Sequence, residues 1–98
     1  MEENINIQVK FVGPFRSVSN MGSVNLKISH NANVNALLDI LREMYREPMV
    51  DLLKNLDNTE LTCKLIYINN RPLYALDGLN TEVKGGDKVS FLPPMNGG

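Results

Sequence analysis

A switch of hydrophobic period partway along the chain restricts its fold more than any other feature. Residues 5–12, INIQVKFV, alternate, with Ile5, Ile7, Val9 and Phe11 on one side and Asn6, Gln8 and Lys10 on the other. That period of two is the pattern of a half-buried strand. Gly13-Pro14 interrupts it, and the polar stretch through Ser17, Ser19 and Asn20 to Gly22 reads as a connecting loop. VNLKI then resumes the alternation with Val24, Leu26 and Ile28 inward, which predicts an antiparallel hairpin with a long loop. In HNANVNALLDILREMYRE the period becomes 3.6: Val34, Leu37, Leu38, Leu41, Met44 and Tyr45 share a face, opposite Asn35, Asp39, Arg42, Glu43 and Arg46. One-sided strands and a one-sided helix must bury their apolar faces on each other, so the class is α+β.

Asn33 is the expected N-cap of this helix, since its side-chain oxygen can satisfy an amide of the first turn. Pro48 ends the helix and begins a short second helical turn carrying Val50, Leu52, Leu53 and Leu56, and residues 57–60 form a loop. LTCKLIYI, 61–68, is apolar on both parities, which predicts a central strand covered on both sides or a strand with a bulge. Asn69-Asn70 reads as a tight turn because Asn tolerates the left-handed conformation. The remainder gives a short strand, a turn around Asp77-Gly78, a single helical turn, a bend at Gly85-Gly86 and a closing strand with Val89 and Phe91 inward, Ser90 and Leu92 outward.

With 98 residues the chain has room for a single domain and one core. Ten basic against eleven acidic residues leave a net charge of −1, which does not recommend nucleic acid or an anionic membrane as a partner. A lone Cys63 forms no internal disulfide, the amino terminus lacks a secretory pattern, and no apolar run approaches the roughly 20 residues of a membrane span. The expected location is the cytoplasm.

Side chains with catalytic potential are few. His30 lies in a polar loop without a second ligand at metal-binding spacing, so no metal site is expected. Cys63 reads as a small buried hydrophobe, and Met44 and Met49 as core residues. Gly85-Gly86-Asp87 precedes a strand instead of opening a helix, and so is a turn and not a phosphate loop.

The end of the chain is different. KVSFLPPMNGG runs from the closing strand into Pro93-Pro94, a spacer of Met95 and Asn96, and Gly97-Gly98. The prolines stiffen the exit, while two glycines leave a thin thread able to enter a narrow slot and present the Gly98 carboxylate. Val12 and Leu92, if outward on adjacent strands with Pro72 near, would make a small apolar patch beside the root of this tail.

The last third, IYINNRPLYALDGLNTEVKGGDKVSFLPPMNGG, resembles the ubiquitin-like sulfur carriers: the small subunit of molybdopterin synthase, its thiamine-pathway relative and archaeal small modifier proteins. The resemblance covers nearly the whole chain. It implies a β-grasp domain over residues 1–98, a mixed sheet of four to five strands wrapped on one main helix, with a flexible tail at 93–98. It implies that a ubiquitin-activating-type adenylyltransferase uses ATP to adenylate Gly98, and that a sulfur donor converts the adenylate to a thiocarboxylate. No cofactor would be bound permanently, and the chain would have no catalytic side chains of its own. Pro93, Pro94, Met95, Asn96 and Gly97 would thread into the large subunit of molybdopterin synthase, which would transfer the sulfur to a pterin precursor. Val12, Pro72 and Leu92 match positions at the contact with that subunit and with the activating enzyme. The chain departs from the family pattern at Asn70 (usually Gly), Leu92 (usually aromatic) and Met95 (usually Val). Thiamine or tRNA thiolation, isopeptide conjugation to target lysines, and a plain interaction module stay open as alternatives.

Overall fold

The computed structural model describes residues 3–45, 47, 49–54 and 59–93. Two long strands, β1 (Asn4–Phe11) and β2 (Ser23–Ser29), pair antiparallel, with Ile7 opposite Leu26 and Val9 opposite Val24. Between them α1 (Pro14–Ser19) occupies the stretch that the sequence suggested as a loop. Pro14 takes a first-turn position, where its missing amide costs nothing, and Phe15 and Ser19 lie one turn apart and are both buried. The serines around Phe15 disguise a short amphipathic helix that ends at Asn20 in the left-handed conformation, φ 61°.

The main helix, α2 (Val34–Tyr45), is where the change of period places it, and the Ala36 amide donates to Asn33 Oδ1 at 2.9 Å. Val34, Leu37, Leu38 and Leu41 are buried in a continuous stripe, and Tyr45 continues it. Met44 does not join the core; it is 47% exposed. At about 100° per residue it falls at the margin of the stripe, whereas Tyr45 falls near its centre. A second short helix, α3 (Met49–Lys54), buries Met49 and Leu53 completely and half-buries Val50 and Leu52. Pro48 and Leu56 lie outside the described residues.

The run 61–68 is not one strand. Helix α4 (Thr59–Leu65) takes up Thr59 and Glu60, expected in a loop, and continues to Leu65; only Ile66–Ile68 forms a strand, β3. An apolar run on both parities fits a buried helix as well as a buried strand. The spacing of exposed Glu60 and Lys64, four apart, marks the helix, and Cys63 is buried on it. Asn69 and Asn70, φ 51° and 72°, make the tight turn to β4 (Arg71–Pro72). Helical turns at Leu73–Ala75 and Gly78–Asn80 follow, then the bend at Gly86, φ 86°, and the closing strand β5 (Lys88–Phe91).

The sheet order is β2-β1-β5-β3-β4. β5 inserts in the middle, parallel to β1 and antiparallel to β3. Along the long strands every second residue is buried and its neighbours are not, so the helices cover one face and leave the other open. Phe91 sits under the end of β5, its ring 5.9 Å from Phe11 and 5.7 Å from Phe15, and Phe11 meets Tyr45 edge-on at 5.9 Å. These rings tie β1, α1, α2 and β5 together where the chain leaves the sheet. This is a ubiquitin-like β-grasp arrangement, a mixed five-stranded sheet on helices.

Candidate functional site

The site is the point at which β5 ends. Because β5 is central, its last residues are held from both sides: the Val12 amide donates to the Phe91 carbonyl at 3.1 Å, and the Leu92 amide donates to the Leu65 carbonyl at 3.0 Å. Pro93 has no amide to pair and is held by shape. A Cβ added to Gly13 would stand 3.0 Å from Pro93 Cγ and 3.3 Å from Pro93 Cβ. Gly13 also has φ 66° and ψ −132°, a region open to glycine and strained for other residues. The Gly13-Pro14 step thus ends β1, starts α1 and leaves room for the proline that begins the tail. Pro94, Met95, Asn96, Gly97 and Gly98 lie outside the described residues.

Val12 and Leu92 do lie together. They share an open groove of about 360 Å³ on the uncovered face with Lys10, Tyr67, Asn70 and Ser90. The register supplies the geometry: Lys10 stands opposite Ser90, Ser90 opposite Tyr67, and Tyr67 opposite Pro72. Pro72 therefore extends the same row by one strand. Val12, Tyr67, Pro72 and Leu92 are all half-buried, with apolar surface still open to the outside. Tyr67 was not singled out from sequence, although its place between buried Ile66 and Ile68 signals an outward side chain once β3 is recognised. Gly13 was likewise read only as an interruption; no feature of the sequence reveals that Pro93 packs against it.

Beside this groove, a second one is lined by Lys10, Val12, Gly13, Arg16 and Lys88 among others, and no acidic side chain lines it. The acid next to β5, Asp87, is engaged elsewhere: one carboxylate oxygen accepts from Asn69 Nδ2 at 2.9 Å and the other from the Lys84 amide at 2.8 Å. Asn69 Oδ1 accepts from the Lys88 amide at 3.0 Å, so the hairpin turn is bolted to the start of β5.

Among the described residues no group of three or more His, Cys, Asp and Glu is placed to hold a metal ion. His30 is exposed, and Cys63 is buried beside Gly78. No helix of the described residues is long and apolar enough to cross a membrane. The arrangement fixes Leu92 and Pro93 next to a partly apolar groove, and among the described residues no acid–base or nucleophilic pair stands at that point.

The family model described as the ThiS family matches residues 9–98. A candidate sulfur carrier protein of Archaeoglobus fulgidus is 31% identical over 80 residues, covering 81% of this chain and 88% of that protein. Small archaeal modifier protein 3 of Haloferax volcanii is 27% identical over 95 residues, covering 96% of this chain and all of that protein. The solution structure of Urm1 from Trypanosoma brucei superposes over the full length of both chains with a TM-score of 0.73 and 26% identity.

Proposed function

The chain belongs to the ThiS family, within the wider group of ubiquitin-like sulfur carriers and modifiers, and on that footing we propose that it is a sulfur carrier with Gly98 as its reactive terminus. The observation that carries this reading is the root of the tail. The central strand is pinned on both sides at Val12 and Leu65, and Pro93 is seated on Gly13, so the chain leaves from a fixed point. Five residues follow Pro93, enough for about 17 Å of extended thread. That length delivers Gly98 to a pocket in a partner docked on Val12, Tyr67, Pro72 and Leu92.

A carboxylate is a poor electrophile, because it is anionic and would have to expel oxide. In the proposed sequence a ubiquitin-activating-type adenylyltransferase binds the chain with ATP. A Gly98 carboxylate oxygen attacks the α-phosphorus and pyrophosphate departs, leaving an acyl adenylate. Hydrosulfide from a sulfide-level donor then attacks the acyl carbon, the acyl–phosphate bond breaks with AMP as leaving group, and loss of the sulfur's proton to solvent leaves a thiocarboxylate on Gly98. The catalytic groups belong to the activating enzyme; this chain supplies the docking surface and the thread, which raise the effective concentration of the terminus. ATP is thus consumed by the partner and not held here. The acceptor in the leading reading is a pterin precursor in the large subunit of molybdopterin synthase.

The match to a small archaeal modifier protein over 96% of this chain favours a second reading, in which a target lysine attacks activated Gly98 and forms an isopeptide bond. Pyrophosphate release from ATP by the activating enzyme tests what both share. Release should require this chain and should vanish when one residue is added after Gly98. Undiminished release with the extended chain would overturn the tail's role. Lysine-linked adducts of Gly98 in cell extract would select the second reading.

A further inference from the structure

The uncovered face of the sheet carries a charge asymmetry that the net charge of −1 hides. By register and alternation, the outward residues of β1, β2 and β5 are Lys10, Lys27, Lys88, amides and serines; none is acidic. Arg16, exposed on α1, faces the groove that Lys10 and Lys88 line. Among the described residues none of these four cations has a carboxylate within ion-pair distance, and the ion pair present, Arg42 with Asp39, lies on α2. Lys10 lines the basic groove and the apolar groove alike. The two surfaces are therefore one continuous footprint, apolar at Val12, Tyr67 and Leu92 and cationic at Lys10, Arg16 and Lys88.

From this we infer that the footprint is read by an acidic protein surface: the activating enzyme presents an aliphatic or aromatic side chain to the Val12–Tyr67–Leu92 groove and carboxylates to Lys10, Arg16 and Lys88. The inference rests on the sulfur-carrier reading. An apolar centre with cations on one flank is the complement of a protein patch, because interfaces bury an apolar core and leave charges at the rim. An RNA duplex, read through its backbone, draws on cation density and gains little from the aliphatic side chains of Val12 and Leu92 in the same footprint. Rim charges of this kind act mainly on encounter and specificity, so their effect fades with salt as the screening length falls from about 10 Å at 0.1 M to about 3 Å at 1 M.

The test is the KM of the chain in pyrophosphate release by its activating enzyme at 50 and 500 mM salt. Lys10→Glu and Arg16→Glu, both at exposed positions, should each raise KM about tenfold at low salt, with a far smaller change in kcat and less than about threefold at high salt. Lys54→Glu changes the net charge equally but sits at an exposed position of α3, in the helical layer, and its KM should stay within about twofold of the parent. Matching unfolding midpoints would show that each variant keeps its fold. Equal KM values for the groove variants and Lys54→Glu overturn the inference while leaving the sulfur-carrier reading intact. An unmodified chain that elicits no pyrophosphate release removes that reading, and this inference with it. Retention of a labelled RNA duplex that Lys10→Glu and Arg16→Glu abolish, without a change in KM, would assign the footprint to a nucleic acid instead.

Discussion

Gly13 does two jobs at one atom's width, and both depend on its lack of a side chain. Its backbone needs φ 66°, and a Cβ there would stand 3.0 Å from Pro93 Cγ, so that the ring would have to give by a few tenths of an ångström. Gly13→Ala should therefore cost about 1–3 kcal/mol from backbone strain alone. The close approach to Pro93 adds to that. If the two residues are in contact as described, trimming the proline in Gly13→Ala/Pro93→Gly should relieve part of the cost, giving a non-additive double-mutant cycle in urea unfolding. Strict additivity would mean that the tail root is not seated on Gly13. A second pair of residues separates conformation from bonding. Asn69 and Asn70 both adopt left-handed backbone, but only the Asn69 side chain is bolted to β5, through Lys88 and Asp87. Asn69→Gly loses both side-chain hydrogen bonds and should cost about 1–2 kcal/mol of stability, two exposed bonds at the lower end of their typical net worth. Asn70→Gly, which keeps every one of these bonds and suits the φ, should be neutral or slightly stabilising by the same measurement.

At the scale of elements, β5 and the residue after it serve the core on one face and the proposed docking surface on the other. Phe91 is fully buried among Phe11 and Phe15, while Leu92 points to the open face. Phe91→Ala should destabilise by about 3–5 kcal/mol. Leu92→Asp should leave the unfolding midpoint nearly unchanged yet raise the KM with the activating enzyme, since a charge would face a desolvated contact and not the core. Unfolding of Leu92→Asp would mean that the strand's faces are assigned wrongly. This alternation was legible in the sequence because Val89, Ser90 and Phe91 follow it without exception. So were β1, β2 and α2, each long enough for its period to show. The short elements were not. In α1 only Phe15, Val18 and Ser19 face inward, too few for periodicity to outweigh the serines around them. In α4 residues 61–63 and 65 are all buried or half-buried and leave only Glu60 and Lys64 to mark the helix, and the boundary with β3 falls inside the apolar run Leu65–Ile68. The candidate site was legible in part: Val12, Pro72 and Leu92 converge, but Tyr67, which joins Pro72 to the others, depends on the pairing of β3 with β4 and β5.

For the whole molecule, the decisive property is that the sheet is covered on one side only. The helical layer and the aromatic cluster at Phe91 hold the core on the inner face, and among the described residues no helix covers the outer face, where the proposed footprint lies. The strand inserted last in the chain is central in the sheet, so Leu92 and Pro93, the last described residues, stand at the middle of the sheet beside Val12. On the proposed function this couples docking to delivery: a partner that covered Val12, Tyr67, Pro72 and Leu92 would stand beside Pro93, from which the tail begins. The central claim is that Gly98 carries sulfur, and the intact mass of the chain after incubation with ATP, a sulfide source and a family activating enzyme tests it most directly. Replacement of one oxygen by sulfur predicts a gain of about 16 Da, lost when Gly97 and Gly98 are deleted. An unchanged mass, with the fold intact and the enzyme active on another carrier, would contradict the account.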